Sequence, residues 1–289
     1  MNSGCLSPEV VIFTDLDGTL LDQRYDYESA AYMLNALRTR GIYSIPATSK
    51  TAAELIHWQD SLTFKPPMII ENGAGVVWPE GALSEEDDVD PDFKTGKNYA
   101  QLCNILAQLR IEFGFDFRSF DDMTPCEISQ ATGLDRHAAS LAKQRTASVP
   151  LSWAGAPAQL NDLRAQLEHR GLTLVRGGRF WHVMEPINKG QTALRVHRRL
   201  CRMWGNTPVI LACGDSENDL PLLQVARGAV LFPKPDGQFL SITQQSVVYA
   251  RSAGALAWLE AVNQLLHTLE LNPQIAACGA QAVSVEKGV

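Results

Sequence analysis

The chain has 289 residues, 45% of them apolar, with a formal net charge of -7 and six cysteines. That length supports a full hydrophobic core, and no apolar run approaches the ~18 to 20 residues that cross a bilayer, so no membrane partner is expected. The acidic balance, with no long basic stripe, argues against nucleic acid as a partner. The opening MNSGCLSPEV has no basic and apolar leader pattern, which points to the cytoplasm. The irregularly spaced cysteines form no C-x-x-C pair and read as reduced thiols.

Val10 to Thr14 is a short apolar run suited to a buried parallel strand. Glu28 to Arg40 reads as a helix, because Ala30, Met33, Leu34 and Leu37 recur at helical spacing and Gly41 stands where a helix stops. Ile42 to Ala47 is the next strand and KTAAELIHWQDSL the next helix. MIIENGAGVVW gives a strand, a turn at Asn72-Gly73 and a second short strand. This alternation predicts a doubly wound, Rossmann-like α/β sheet.

The texture then changes. SEEDDVDPDFKTG is acidic and poor in apolar residues, as a solvated linker would be. From Tyr99 to Glu185 the chain reads as a separate α+β module. It holds a helix over Tyr99 to Arg110, a β-like IEFGFDFRSF, a helix over Asp135 to Arg145 and a strand at VPLSW. A helix within Pro157 to Gly171 and a hairpin turning at Gly177-Gly178 complete it. The α/β pattern resumes with KGQTALRVHRRLCRMWG, a helix whose RVHRRLCR stretch is expected to form its solvated side. PVILACGDSENDLPLLQVA follows as strand, turn and helix, then the strand GAVLF and a last helix over Gly254 to Leu269. The predicted organisation is a discontinuous core (1–87 and 188–270), an inserted domain (88–187) and a tail (271–289) expected to be disordered.

The chemistry concentrates at VIFTDLDGTL. Ligands bind at the carboxyl ends of strands in open α/β sheets, so Asp15 and Asp17 are placed where a site is expected. Two carboxylates there need a countercharge, and Mg²⁺ suits one or two carboxylates with substrate phosphate oxygens. Taken alone, D-x-D-G-T is also compatible with a simple turn.

DLDGTL after an apolar strand resembles the first motif of the haloacid dehalogenase superfamily of phosphotransferases. Three further motifs follow in order: Thr48 in IPATSKT, Lys189 in INKGQT, and Asp215, Asn218 and Asp219 in CGDSENDLPLL. The resemblance implies that Asp15 attacks phosphorus and that Asp17 serves as general acid and base. Thr48 and Lys189 would hold the phosphoryl oxygens. Mg²⁺ would be held by Asp15, Asp17 through its carbonyl, and Asp215, with Asp219 at the metal or just behind it and Asn218 bonding within the site.

The insertion resembles the superfamily's C2-type cap, which selects the leaving group. TSKT, ENGA, TGL and GGRFWHV together resemble the mannosyl-3-phosphoglycerate phosphatases, implying a phosphorylated glycoside bearing a carboxylate. Arg145, Arg179 and His182 are then candidates for substrate contact, with surface charge or a satisfied core histidine as the alternative. Asn72 either meets substrate or makes the turn, and Trp181 reads as cap core. Where that family tends to show an acidic residue and an aspartate, this chain has Val149 and Asn188. The alternative readings are a phosphatase of sucrose phosphate or a hexose phosphate, a phosphomutase, and a phospho-accepting signalling module. The last needs neither Asp17 nor a cap.

Overall fold

The computed structural model describes residues 7–82 and 97–271. The acidic SEEDDVDPDFKTG stretch, Cys5, Cys278 and all but the first residue of the tail lie outside the described residues.

A five-stranded parallel sheet forms the core. Its strands, in spatial order, are β11 (Val247–Tyr249), β10 (Gly228–Leu231), β9 (Val209–Gly214), β1 (Val10–Thr14) and β2 (Ile42–Pro46). Successive side chains of a strand face opposite ways, and β1 shows what that does. Val10 and Ile12 pack into a layer with α1 (Tyr27–Thr39), α2 (Ala52–Gln59) and α9 (Ala255–Thr268). Val11 and Phe13 pack into the other layer, with α7 (Lys189–Trp204) and α8 (Leu220–Val225). Both faces are therefore covered, as a near-continuous apolar strand requires.

The chain leaves this sheet after β2 and builds a second one. Its strands, in spatial order, are β5 (Phe117–Ser119), β6 (Ser148–Trp153), β8 (Trp181–Met184) and β7 (Thr173–Arg176), all antiparallel. The helices α3 (Tyr99–Phe113) and α6 (Pro157–Glu168) cover one face of it through Leu102, Leu106, Leu109, Leu163 and Leu167 against Val149, Leu151 and Val183. The α/β fold with an inserted α+β cap is thus present.

Several local expectations are corrected. β3 (Met68–Ile70) does not join the central sheet as a full strand. It pairs antiparallel with β4 (Gly75–Val77) and touches the end of β2 only through the bridge between Ala47 and Ile69. In IEFGFDFRSF, Ile111 to Phe113 finish α3, which stops at the left-handed Gly114, so only Phe117 to Ser119 are strand. The cap also holds a helix not expected from periodicity, α4 (Pro125–Thr132), started by a capping box between Thr124 and Glu127 with proline in its first turn. The next helix, α5 (Arg136–Ala142), ends before Arg145 and leaves that residue in a loop. β11 was likewise not expected, and the β7–β8 loop runs from Gly177 to Phe180 rather than turning on two glycines. The RVHRRLCR stretch is not simply solvated: His197 and Arg199 are buried, and Arg199 lies over the Trp78 ring at 5.1 Å.

Candidate active site

The parallel register brings the motif residues together. Thr14 is level with Pro46 on one side and Cys213 on the other, so the three strands end side by side. The residues just past those ends are Asp15, Thr48 and Asp215. The amino end of α7 adds Lys189, placed by Asn188, whose side chain accepts the Gln191 backbone N–H as the helix cap.

Lys189 is fully buried and bridges two carboxylates. Its Nζ donates to Asp15 Oδ1 at 2.6 Å and to Asp219 Oδ1 at 2.7 Å. Burial alone would lower the lysine's pKa, but Asp15 and Asp219 outweigh it and hold the ammonium charged. Asp15 is pushed well up, first by burial, against the pull of Lys189 and with repulsion from Asp219, Asp215 and Asp17 behind it. Asp215 is pushed up to about 7, by burial and then by Asp219. A concentration of negative charge around Asp15, Asp215 and Asp219 therefore exceeds what one lysine neutralises.

Gly18 makes that close packing feasible. Its φ is +80°, and a Cβ there would lie 2.8 Å from Asp215 Oδ2, so a side chain would be excluded on both counts. Gly190 does the same for α7, where a Cβ would lie 2.2 Å from the Pro221 carbonyl oxygen.

Asp219 is held at both oxygens. Oδ1 receives Lys189, and Oδ2 accepts the backbone N–H groups of Asp215 and Ser216, both at 3.1 Å. Oxygen atoms of Asp15, Asp215 and Asp219 lie within 4.8 Å of one another. An all-carboxylate donor set carrying excess negative charge suits a hard divalent cation such as Mg²⁺. Asp15 and Asp215 are the members with oxygen atoms left for it.

Asp17 is half-exposed and sits beside a cation that motif reading did not single out. Lys50 Nζ lies 3.0 Å from Asp17 Oδ1 and 3.7 Å from Glu54, with its own side chain 5% exposed. Lys50 follows Thr48 by two residues, just past the end of β2. Thr48 is fully buried, and its hydroxyl oxygen accepts the Lys50 backbone N–H.

Asn72 and Asn218 meet: Asn218 Nδ2 donates to Asn72 Oδ1 at 2.9 Å, while Asn72 N–H donates to the Thr48 carbonyl. Asn72 adopts φ +61°, so it both makes the turn and reaches Asn218. Its own Nδ2 is buried and has no protein partner.

The cap candidates are placed differently. Arg145 faces inward, not into open cleft. Its Nε and one terminal nitrogen donate to Ser148, the same terminal nitrogen donates to the Ser49 carbonyl at 2.9 Å, and Glu71 is 3.6 Å away. Glu71 in turn accepts from Thr146 N–H and Oγ1, Ala147 N–H and Ser148 Oγ. Burial would raise the Glu71 pKa, but Arg145 and these donors bring it below the ordinary range. This cluster ties the cap to the core and was not legible from the sequence strings. Arg179 is exposed at the hairpin loop and donates to the Thr132 carbonyl. His182 is buried and its pKa is lowered, by burial first and then by Arg145, Lys189 and Arg176, so it is neutral near pH 7. Its Nδ1 has no protein partner. Trp181 packs with the cap core.

Comparison with known proteins agrees with this architecture. Residues 12–123 match the model of the haloacid dehalogenase-like hydrolase family. A Thermoplasma acidophilum protein of known structure is similar over 91% of this chain and 99% of its own, at 17% identity and a TM-score of 0.61. A Bacteroides thetaiotaomicron phosphatase of the haloalkanoate enzyme superfamily covers 94% and 98%, at 19% identity and 0.60. The Synechocystis sucrose-phosphatase, solved with sucrose and phosphate, covers 89% and 98%, at 18% identity and 0.59. The chain has the fold of the haloacid dehalogenase-like hydrolases.

Proposed function

We propose that this protein is a Mg²⁺-dependent phosphatase that hydrolyses a glycosyl-3-phosphoglycerate, mannosyl favoured, to the glycosylglycerate and phosphate. The observation that carries the phosphatase reading is the buried Asp15 carboxylate at a strand end, bridged by Lys189 at 2.6 Å and crowded by Asp215. A phosphomonoester is inert, so its hydrolysis needs a held nucleophile and neutralised charge.

In this reading an Asp15 oxygen attacks phosphorus while the bond from phosphorus to the leaving oxygen breaks. Asp17 gives that oxygen a proton. A water then attacks the aspartyl-phosphate, Asp17 takes the water's proton, and phosphate leaves with Asp15 regenerated. Thr48 and Lys189 hold the transferring oxygens. Asp15, the Asp17 carbonyl and Asp215 would hold Mg²⁺, which would supply positive charge to the phosphoryl group. Asp219 fixes Lys189 and the Asp215 turn. The cap, over about 88–187, chooses the leaving group.

The buried and unpartnered Asn72 Nδ2 and His182 Nδ1 support a polar leaving group. Arg179, at the hairpin loop, is the cation open to a carboxylate. The second reading, a phosphatase of sucrose phosphate or a hexose phosphate, takes its support from the likeness to the Synechocystis sucrose-phosphatase.

The test is phosphate release from a panel of glycosyl-phosphoglycerates, sucrose phosphate and hexose phosphates, with Mg²⁺ and with EDTA. Preference for a hexose phosphate overturns the substrate assignment. Arg179→Ala should raise KM about tenfold for the carboxylate-bearing substrate, the scale of one charged hydrogen bond, and hardly at all for p-nitrophenyl phosphate.

A further inference from the structure

Lys50 lies beside the reacting groups, and the mechanism above does not use it. It opens toward the site from the end of β2, in the turn that leads into α2. That turn is rigid. Thr51 caps α2 in a reciprocal box with Glu54, its hydroxyl donates to the Leu141 carbonyl of the cap, and Glu71 N–H donates to the Lys50 carbonyl. The Lys50 side chain is 5% exposed, a costly place for an ammonium unless it is paired. Its surroundings are Asp17 at 3.0 Å, Glu54 at 3.7 Å and the Tyr25 ring, whose centroid is 4.8 Å away. Tyr27 is close enough to add to its electrostatics.

The contact is selective within the Asp17 carboxylate. Oδ1, the oxygen beside Lys50, is buried and accepts no hydrogen bond, so Lys50 holds it as an ion pair; yet the Asp17 side chain as a whole is 37% exposed. The exposure therefore falls on the rest of the side chain, where Oδ2 is the one polar atom. A carboxyl group anchored through one oxygen keeps the other free to carry or take a proton.

We infer that Lys50 is a positioning residue for Asp17: it fixes Oδ1 against the wall of the site and so dedicates Oδ2 to proton exchange with the leaving oxygen and the hydrolytic water. This rests on the phosphatase reading. It assigns Lys50 a role distinct from that of Lys189, which holds the nucleophile from the opposite side. Two lysines from different elements thus divide the two aspartates of one motif. Glu54, tied into its capping box, keeps Lys50 from swinging away.

The inference has a signature that a packing role lacks. A p-nitrophenolate leaving group departs without a proton, whereas an alkoxide needs one. A residue acting through the general acid matters for the second and little for the first. The experiment measures kcat/KM of wild type, Lys50→Met, Asp17→Asn and the double variant on p-nitrophenyl phosphate and on an alkyl phosphate such as glycerol phosphate. A positioned general acid contributes on the order of 10²-fold or more. Lys50→Met should therefore lose about 10²-fold on the alkyl substrate and under about threefold on the aryl one. The double variant should be no worse than Asp17→Asn on the alkyl substrate, because both act through one group. That variant also leaves no unpaired charge at Asp17, so it reports even where Lys50→Met folds poorly. Equal losses on the two substrates, or additive losses in the double variant, overturn the assignment. A wild-type protein inactive on every phosphomonoester overturns the phosphatase reading itself, and this inference with it.

Discussion

The carboxyl end of the central sheet and the face of the cap that meets the core are both crowded with charge, and they use it in opposite ways. At the sheet, Asp15, Asp215 and Asp219 crowd around one lysine, and burial with mutual repulsion pushes two of these carboxyls up. At the cap face, Glu71 accepts four hydrogen bonds beside Arg145 and is held below its ordinary range. The first cluster is electrostatically frustrated, as the proposed binding of a cation and a phosphoryl group requires. The second is satisfied and therefore structural. Burial and charge alone do not separate a site from a strut; the balance of donors does.

The largest effect that would break this contrast is loss of the strut. Glu71→Ala leaves the Arg145 guanidinium buried and unpaired, which costs about 3 to 5 kcal/mol and should appear as a large fall in the urea midpoint. A stability within about 1 kcal/mol of wild type would show that the cluster is not holding the cap. The pH sign follows from the depressed Glu71 pKa. Its stabilisation is complete above its unfolded value near 4.5 and is lost as pH falls through the lower folded value.

A smaller effect sharpens the other half. Asp215, raised to about 7, binds a proton in the fold that the unfolded chain has already lost. Without metal, stability therefore falls as pH rises from about 4 through about 7. Mg²⁺ relieves that penalty, so it should raise Tm by more at about pH 8 than at about pH 5, where a proton competes for the site. An equal shift at both pH values, or none, would remove Asp215 from the cation site.

The same contrast explains what the sequence disclosed. The core motifs were legible because each is a local device: a strand end, a glycine that no side chain can replace, a helix start. The parallel sheet then sets β1 between β2 and β9, so motifs far apart in the chain end side by side. The cap was legible as a module but not in its contacts. Arg145 looked like a substrate cation because nothing near it in sequence shows that Glu71 and Ser49, from the core, engage it. α4 was missed although its capping box was there to read, since its periodicity is short. β11, three residues long, offers too few positions for alternation to show. Lys50 was visible within TSKT, but its meaning depends on Asp17, which lies 33 positions earlier and adjacent only across two parallel strands.

The central claim is that Asp15 is the nucleophile. The most direct test is rapid acid quench of the protein with Mg²⁺ and a turning-over phosphomonoester, followed by peptide mass spectrometry. A phosphoryl group on the peptide containing Asp15, absent in Asp15→Asn together with phosphate release, is the result this account predicts. Phosphate release that persists in Asp15→Asn, or a phosphoryl group found on another residue, would contradict it.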